Sequence, residues 1–218
     1  MKILALIPAR KGSIRLKNKN MVLVKKKPLI YHTIQAALKS KLKKKNIYLY
    51  SDGDHIINYG SKLLGNNAIK RPVNVSKKNS SMYSTIKSFL KDKKKYDYLL
   101  LLQPTSPLRT FSDINKSIEI LKKNKNADGV LSTYQVRNRK NIILNKLMIE
   151  KNNFLIQAKK INLNKNKIYM RNGPAILLIK IKRIKKELYK CKLLNYKMAE
   201  RRSVDINTLN DLKKLKVK

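Results

Sequence analysis

The sequence predicts an α/β fold, a doubly wound sandwich around a mostly parallel sheet, as one domain over residues 1–218. Two observations carry this. Ile3-Leu-Ala-Leu-Ile7 and Tyr98-Leu-Leu-Leu-Leu102 are continuous apolar runs of strand length, the pattern of strands covered on both faces. The segments around them alternate helical apolar spacing with further short apolar runs, so strands and helices follow one another along the chain. With 218 residues and 42% hydrophobic residues the chain can bury a core of that kind.

The elements follow in order. The first strand ends at the basic stretch Pro8-Ala-Arg-Lys-Gly-Ser-Ile-Arg-Leu-Lys-Asn-Lys-Asn20. Pro28 then opens a helix over 28–42, where proline is tolerated in the first turn. Leu29, Ile30, Ile34, Ala37, Leu38 and Leu42 form its apolar stripe. Residues 46–50 read as the second strand, and 54–64 as a helix stopped at Gly65. A further helix spans about 80–92. The strand 98–102 runs into Gln103-Pro-Thr-Ser-Pro-Leu-Arg109, after which Ser112 or Asp113 caps a helix to about 124. Residues 129–133 and 175–181 read as strands, and a last helix starts near 208. Residues 135–170 break the rhythm and read as an inserted hairpin or arm.

Lys and Arg number 53 against 12 Asp and Glu, a formal net charge of +41. Charge of this sign raises polyanions as partners. The lysines are spread over the whole chain, however, alongside plentiful Asn and Ile, which share AT-rich codons. They do not interleave with aromatics as in a base-stacking platform, and there is no Trp. A compositional origin is therefore favoured, and no specific nucleic-acid partner is expected. The single cysteine, Cys191, excludes an intramolecular disulfide framework and a cysteine-based zinc site. A reducing cytoplasmic setting follows. The N-terminal apolar run is too short to span a membrane and reads as a strand, so no membrane insertion is expected.

Ligands of open α/β sheets sit at the carboxyl ends of the strands. Three polar segments fall there: the opening loop, Gln103–Arg109, and the region around Arg171-Asn-Gly-Pro174. The opening loop matches neither a Walker A nor a G-x-G-x-x-G pattern. It offers the backbone N–H groups of Gly12 and Ser13, and the cations of Arg10, Arg15 and Lys19, a combination suited to phosphates. Two prolines stiffen the second segment, which presents Gln103, Thr105, Ser106 and Arg109. His32 and His55 have no evident partners, and neither is assigned a role. Acids are scarce, which singles out Asp52, Asp54 and Asp205.

Taken in order, these segments resemble the acylneuraminate cytidylyltransferase family. The matching stretches are Ile7-Pro-Ala-Arg-Lys-Gly-Ser13 with Lys19-Asn20, Lys27-Pro-Leu-Ile30, Ser51-Asp52, Arg71-Pro72, Ser80-Ser81, Leu101-Leu-Gln-Pro-Thr-Ser-Pro-Leu-Arg109, Asn172-Gly173 and Ser203-Val-Asp-Ile-Asn-Thr208. The resemblance implies a Rossmann-like three-layer sandwich and a homodimer whose inserted arm, 135–170, reaches the partner's site. It implies transfer of CMP from CTP to the anomeric hydroxyl of a nonulosonic sugar acid, with Mg²⁺ as cofactor. A ketodeoxyoctulosonate-type acceptor and a catalytically impaired nucleotide-binding homologue are the alternatives. By position, Arg10, Gly12, Ser13, Lys19 and Asn20 would hold the CTP phosphates, with Arg10 and Lys19 catalytic. Arg71, Ser80 and Ser81 would bound the nucleoside. Gln103, Thr105, Lys140 and Asn172 would serve the sugar, and Asp205 with Asn207 the metal. Three departures stand out. Asn207 replaces the second acid of the family's S-[IV]-D-I-D-T ending. Lys77-Lys-Asn79 precedes the paired serines where an Asp is common, and Pro174 interrupts the Asn-Gly-Ala-Ile register.

Overall fold

Residues 1–13, 15–77, 79–137, 142–158 and 167–216 are described by the computed structural model of the protein. The chain opens with β1 (Ile3–Pro8), whose six residues are all buried. The two-residue strands β2 (Leu23–Val24) and β3 (Lys27–Pro28) form a small hairpin. Helix α1 (Leu29–Leu38) follows, then β4 (Ile47–Ser51), α2 (Asp54–Leu64), the short β5 (Ala68–Lys70) and α3 (Met82–Leu90). Strand β6 (Tyr98–Leu101), α4 (Phe111–Lys123) and β7 (Gly129–Gln135) come next. Strands β8 (Leu147–Lys151), β9 (Phe154–Gln157), β10 (Ile168–Arg171), β11 (Leu177–Lys180) and β12 (Leu193–Lys197) precede α5 (Leu209–Lys216).

Among the described residues ten strands form one sheet, ordered β5-β4-β1-β6-β11-β7-β10-β8-β9, with β12 on the other edge of β7. The half β5-β4-β1-β6 is parallel throughout. Strand β11 then pairs antiparallel with both β6 and β7, so the sheet as a whole is mixed. Strands β10 and β11 lie one after the other along β7 and are interrupted by residues 172–176. In the 135–170 stretch, the described residues form the β8–β9 hairpin and β10, and β10 ties both to β7. Asn152 and Asn153, both at positive φ, turn that hairpin.

The apolar runs work as expected of strands covered on two faces. Ile3, Ala5 and Ile7 of β1 join Leu100 and Leu178 in a core against α1, α2 and α4, through Ile34, Ile56 and Ile118. The alternate residues Leu4 and Leu6 join Leu99, Leu101 and Ile179 against Ile86 and Phe89 of α3. Period-two alternation in a wholly apolar run therefore feeds two cores, which makes three layers. A smaller core of Leu16, Val24, Leu29, Ile206 and Leu215 fastens the opening loop to the C-terminal segment.

Two elements differ from the sequence expectation. Helix α4 is capped by Thr110, not by Ser112 or Asp113: its hydroxyl accepts from the Asp113 N–H, and Asp113 returns the bond to the Thr110 N–H at 2.8 Å. This is a capping box, in which the acid three residues inside the helix satisfies the cap's own donor. Strand β12 was not anticipated, because the lysines around Leu193-Leu-Asn-Tyr-Lys197 mask its alternation. It buries Leu193, Leu194 and Tyr196 beside β7. None of the helices among the described residues is long and apolar enough to cross a membrane.

Candidate active site

The loops that follow β1, β4 and β6 leave one rim of the sheet, as parallel strands require. The opening loop is pinned by its backbone. Ala9 N–H donates to the Tyr50 carbonyl at 3.0 Å, and Lys11 N–H to Asp52 Oδ1 at 2.9 Å. Asn20 is buried and donates from Nδ2 to the Arg10 carbonyl at 2.9 Å, so its amide closes the loop on itself. An added Cβ at Gly12 would meet nothing within 4 Å, which leaves that backbone open to approach.

Asp52 links this loop to Arg71. The same Oδ1 that accepts the Lys11 N–H receives Arg71 Nη2 at 3.3 Å, while Arg71 Nε donates to Ser76 Oγ at 3.0 Å. Arg71 is 5% exposed, and burial pushes its guanidinium down from the usual range, with Asp52 opposing and Arg10 adding to the shift. Ser81 caps α3, its hydroxyl accepting from Ser84 N–H at 3.0 Å, and the Ser80 N–H donates to the Lys77 carbonyl. Arg71 thus bonds to Asp52 and Ser76, while the bonds of Ser80 and Ser81 are local to the start of α3.

A cleft of about 860 Å³ lies beside the opening loop. It is lined by Lys19, Gln103, Thr105, Asn172, Asp205 and Asn207 among the expected residues. Lys19 Nζ donates to Asn207 Oδ1 at 3.0 Å. Burial pushes the Lys19 ammonium down from its usual range; Asp205 opposes that, while Arg15 and Arg10 reinforce it. The opening loop, which carries Arg10 and Lys19, reaches Arg71 through Asp52 and so links the cleft to it. Asp205 Oδ2 accepts from Lys146 Nζ at 2.9 Å, with the two side chains 15% and 27% exposed. Asp211 accepts from Asn207 N–H and Thr208 N–H, each at 2.9 Å, which fixes the turn into α5.

One of the expected sugar-side positions, Asn172, has its side chain committed to the scaffold. Asn172, 1% exposed, accepts from Ser132 Oγ at 2.7 Å and donates to Ser203 Oγ at 3.1 Å. Thr105 accepts from Ile206 N–H at 2.8 Å through its carbonyl, which holds the 205–207 segment against the Gln103–Arg109 loop. Arg109, which the sequence presents as part of a polar platform, is instead 3% exposed. It donates to the carbonyls of Gln103 at 3.2 Å and Ala175 at 2.8 Å, and burial lowers its pKa to about 9. It is a clamp between two loops. Gly173 completes the clamp: its φ of +125° suits glycine, and a Cβ there would lie 3.0 Å from Ser106 Oγ. Lys140 lies outside the described residues.

The donor set can be weighed against a divalent cation. Magnesium takes oxygen ligands and is held by one or two carboxylates together with substrate phosphates. Here the candidate oxygens are one carboxylate, Asp205, and one amide, Asn207, and an ammonium sits on each. Among the described residues no cluster of three His, Cys, Asp or Glu is placed to hold a metal. As arranged, these residues do not fit a prebuilt divalent site. Sequence reading missed Lys146, which no local pattern separates from the other lysines. Arg171 also lines the cleft, with its guanidinium 4.0 Å from the Tyr189 ring centroid.

Comparison with known proteins gives the lineage. The sequence profile of the cytidylyltransferase family matches residues 4–216. An N-acylneuraminate cytidylyltransferase of Streptococcus agalactiae serotype V is 35% identical over 139 residues, 62% of this chain and 33% of that protein. A CMP-N,N'-diacetyllegionaminic acid synthase of Legionella pneumophila is 37% identical over 126 residues, 56% of this chain and 54% of that protein. The chain thus spans about a third of the length of the Streptococcus relative and about half that of the Legionella one. A solved CMP:2-keto-3-deoxy-manno-octonic acid synthetase complexed with CTP shares the fold with a TM-score of 0.75. It is 14% identical, with 100% of this chain and 98% of that one covered. The chain belongs to the cytidylyltransferase family, as its motifs, read in order, imply.

Proposed function

We propose that the protein transfers CMP from CTP to the anomeric hydroxyl of a nonulosonic, sialic-type sugar acid and releases pyrophosphate. The observation that supports this is the opening loop of Arg10 and Lys19, tied to Arg71 through Asp52 and bordering the cleft that holds Gln103 and Asp205. The names of the Streptococcus and Legionella relatives supply the acceptor class.

The chemistry follows from charge and geometry. The sugar oxygen attacks the α-phosphorus, the bond from that phosphorus to the bridging oxygen breaks, and the hydroxyl proton passes to solvent. Negative charge grows on the departing pyrophosphate, so positioned cations lower the barrier most. Arg10 and Lys19 are placed in this reading to neutralise it. Arg71, held by Asp52 and Ser76, would bound the nucleoside with Ser80 and Ser81. Gln103 would face the acceptor, and Asn172 and Thr105 would keep the cleft's walls in place. Mg²⁺ is the proposed cofactor and would supply positive charge at the phosphates. The working form is proposed to be a cytoplasmic homodimer built through the 135–170 region.

Incubation with CTP, Mg²⁺ and a panel of sugar acids, followed by pyrophosphate release, tests the reaction. Turnover with nonulosonic acids is expected. Turnover confined to a ketodeoxyoctulosonate-type acid would favour the second reading, for which the 26% identity to a Fusobacterium nucleatum 3-deoxy-manno-octulosonate cytidylyltransferase is the specific observation. CTP binding without release on any acceptor would overturn the catalytic assignment.

A further inference from the structure

The oxygens that the family pattern assigns to a metal are held by lysines, and the two lysines are not equivalent. Lys19 belongs to the opening loop and donates to a neutral amide, Asn207 Oδ1. Lys146 comes from the short turn Leu144–Lys146 just before β8 and pairs with the one carboxylate of the set, Asp205 Oδ2. Both partners of this pair are largely shielded from solvent, at 27% and 15% exposed. A magnesium ion would need to sit about 2.0–2.1 Å from the same carboxylate. An ammonium at 2.9 Å and a divalent ion cannot share that oxygen without strong repulsion at short range.

We propose that Lys146 is a built-in counter-cation at Asp205, which competes with a divalent metal and keeps the protein's own metal affinity low. The substitution of Asn207 for an acid fits this role. With Asn207 neutral, Asp205 is the one charged member of the pair, and Lys146 neutralises it. On this view Lys146 holds the Asp205 carboxylate in a neutralised pair. The significance of the inference rests on the proposed reaction, but its test does not.

The test is a calorimetric titration of Mn²⁺ into the full chain without nucleotide. The wild type and Lys146→Arg are expected to bind Mn²⁺ weakly and alike, because both keep the cation. Lys146→Met is expected to bind at least about tenfold more tightly, since it leaves a shielded carboxylate without its partner. Adding Asp205→Asn to Lys146→Met is expected to return binding to the weak level, which assigns the gain to this carboxylate. Thermal melts check that each variant folds, and Lys146→Gln replaces the methionine variant should that one fail. Binding by a folded Lys146→Met or Lys146→Gln no tighter than wild type would overturn the proposal. Pyrophosphate release is measured separately, so failure of the metal inference and failure of the proposed reaction give different results.

Discussion

Lys19 illustrates how this site concentrates charge. Its ammonium is driven down by burial and by Arg15 and Arg10, and it is kept in place by Asp205 and by the bond to Asn207. A cation held in that position is already oriented, so it can stabilise developing negative charge without reorganisation. Lys19→Met is expected to lower kcat/KM by about 10²–10³-fold in the pyrophosphate assay, the range seen when one oriented charge-stabilising donor is removed. Lys19→Arg is expected to retain part of the activity. Equal kcat/KM in wild type and Lys19→Met would remove Lys19 from the reaction. Cys191 shows the opposite case: burial raises its thiol to about 11, so it is not a nucleophile at neutral pH. At this scale the sequence is informative only where a residue stands in a rare context. Lys19 is marked by the ordered motif around it. Arg71 is marked in the same way by the Arg71-Pro72 pair, whereas Lys146 lies among so many lysines that only its partner, Asp205, reveals it.

At the scale of elements, α4 is tied to the C-terminal segment by one buried carboxylate. Asp113, 2% exposed, accepts from Thr110 N–H, from Tyr196 Oη at 2.7 Å and from Arg202 Nη2 at 2.9 Å. Burial alone would raise its pKa, but Arg202, Thr110 and Tyr196 together hold it down at about 2. The folded-state value lies below the unfolded value of about 3.9, so the stabilisation is complete above that pH and is lost as pH falls through about 2. The shift corresponds to about 2 kcal/mol. Chemical denaturation is expected to show that loss between about pH 5 and pH 2 in the wild type. Asp113→Asn is expected to be about 2 kcal/mol less stable at pH 7 and to lack this part of the acid transition. An unchanged acid profile in Asp113→Asn would show that the clamp contributes nothing. The carboxylate was visible in the sequence as a possible cap. Its partners on Tyr196 and Arg202 were not, because they lie 83 and 89 residues away.

For the whole molecule, the parallel half of the sheet makes the rim that carries the opening loop, and the strands from β7 onward add the cleft wall and the β8–β9 hairpin. Ile143, Leu144 and Ile156 expose 46%, 73% and 45% of their surface in that later region. Apolar side chains exposed on this arm are what a subunit contact would cover. Sedimentation velocity is expected to show a dimer for the wild type and a monomer for the double variant Leu144→Asp, Ile156→Asp. A wild-type monomer at micromolar concentration, or a variant that remains dimeric, would rule out this contact.

The sequence by itself determined the layering and which loops share one rim. Apolar runs covered on two faces can only be central strands, and loops at the carboxyl ends of parallel strands must share a rim. It also marked Arg10, Lys19, Gln103 and Asp205, because motif order survives a background of lysine. Only the tertiary structure decided that β11 turns the sheet antiparallel, that Arg109 and Asn172 serve the scaffold, and that lysines hold the Asp205 and Asn207 oxygens. The reason is that those outcomes depend on which distant groups meet. A hydrogen-bond partner 59 residues away, as Lys146 is to Asp205, leaves no local trace in a chain where lysine is everywhere.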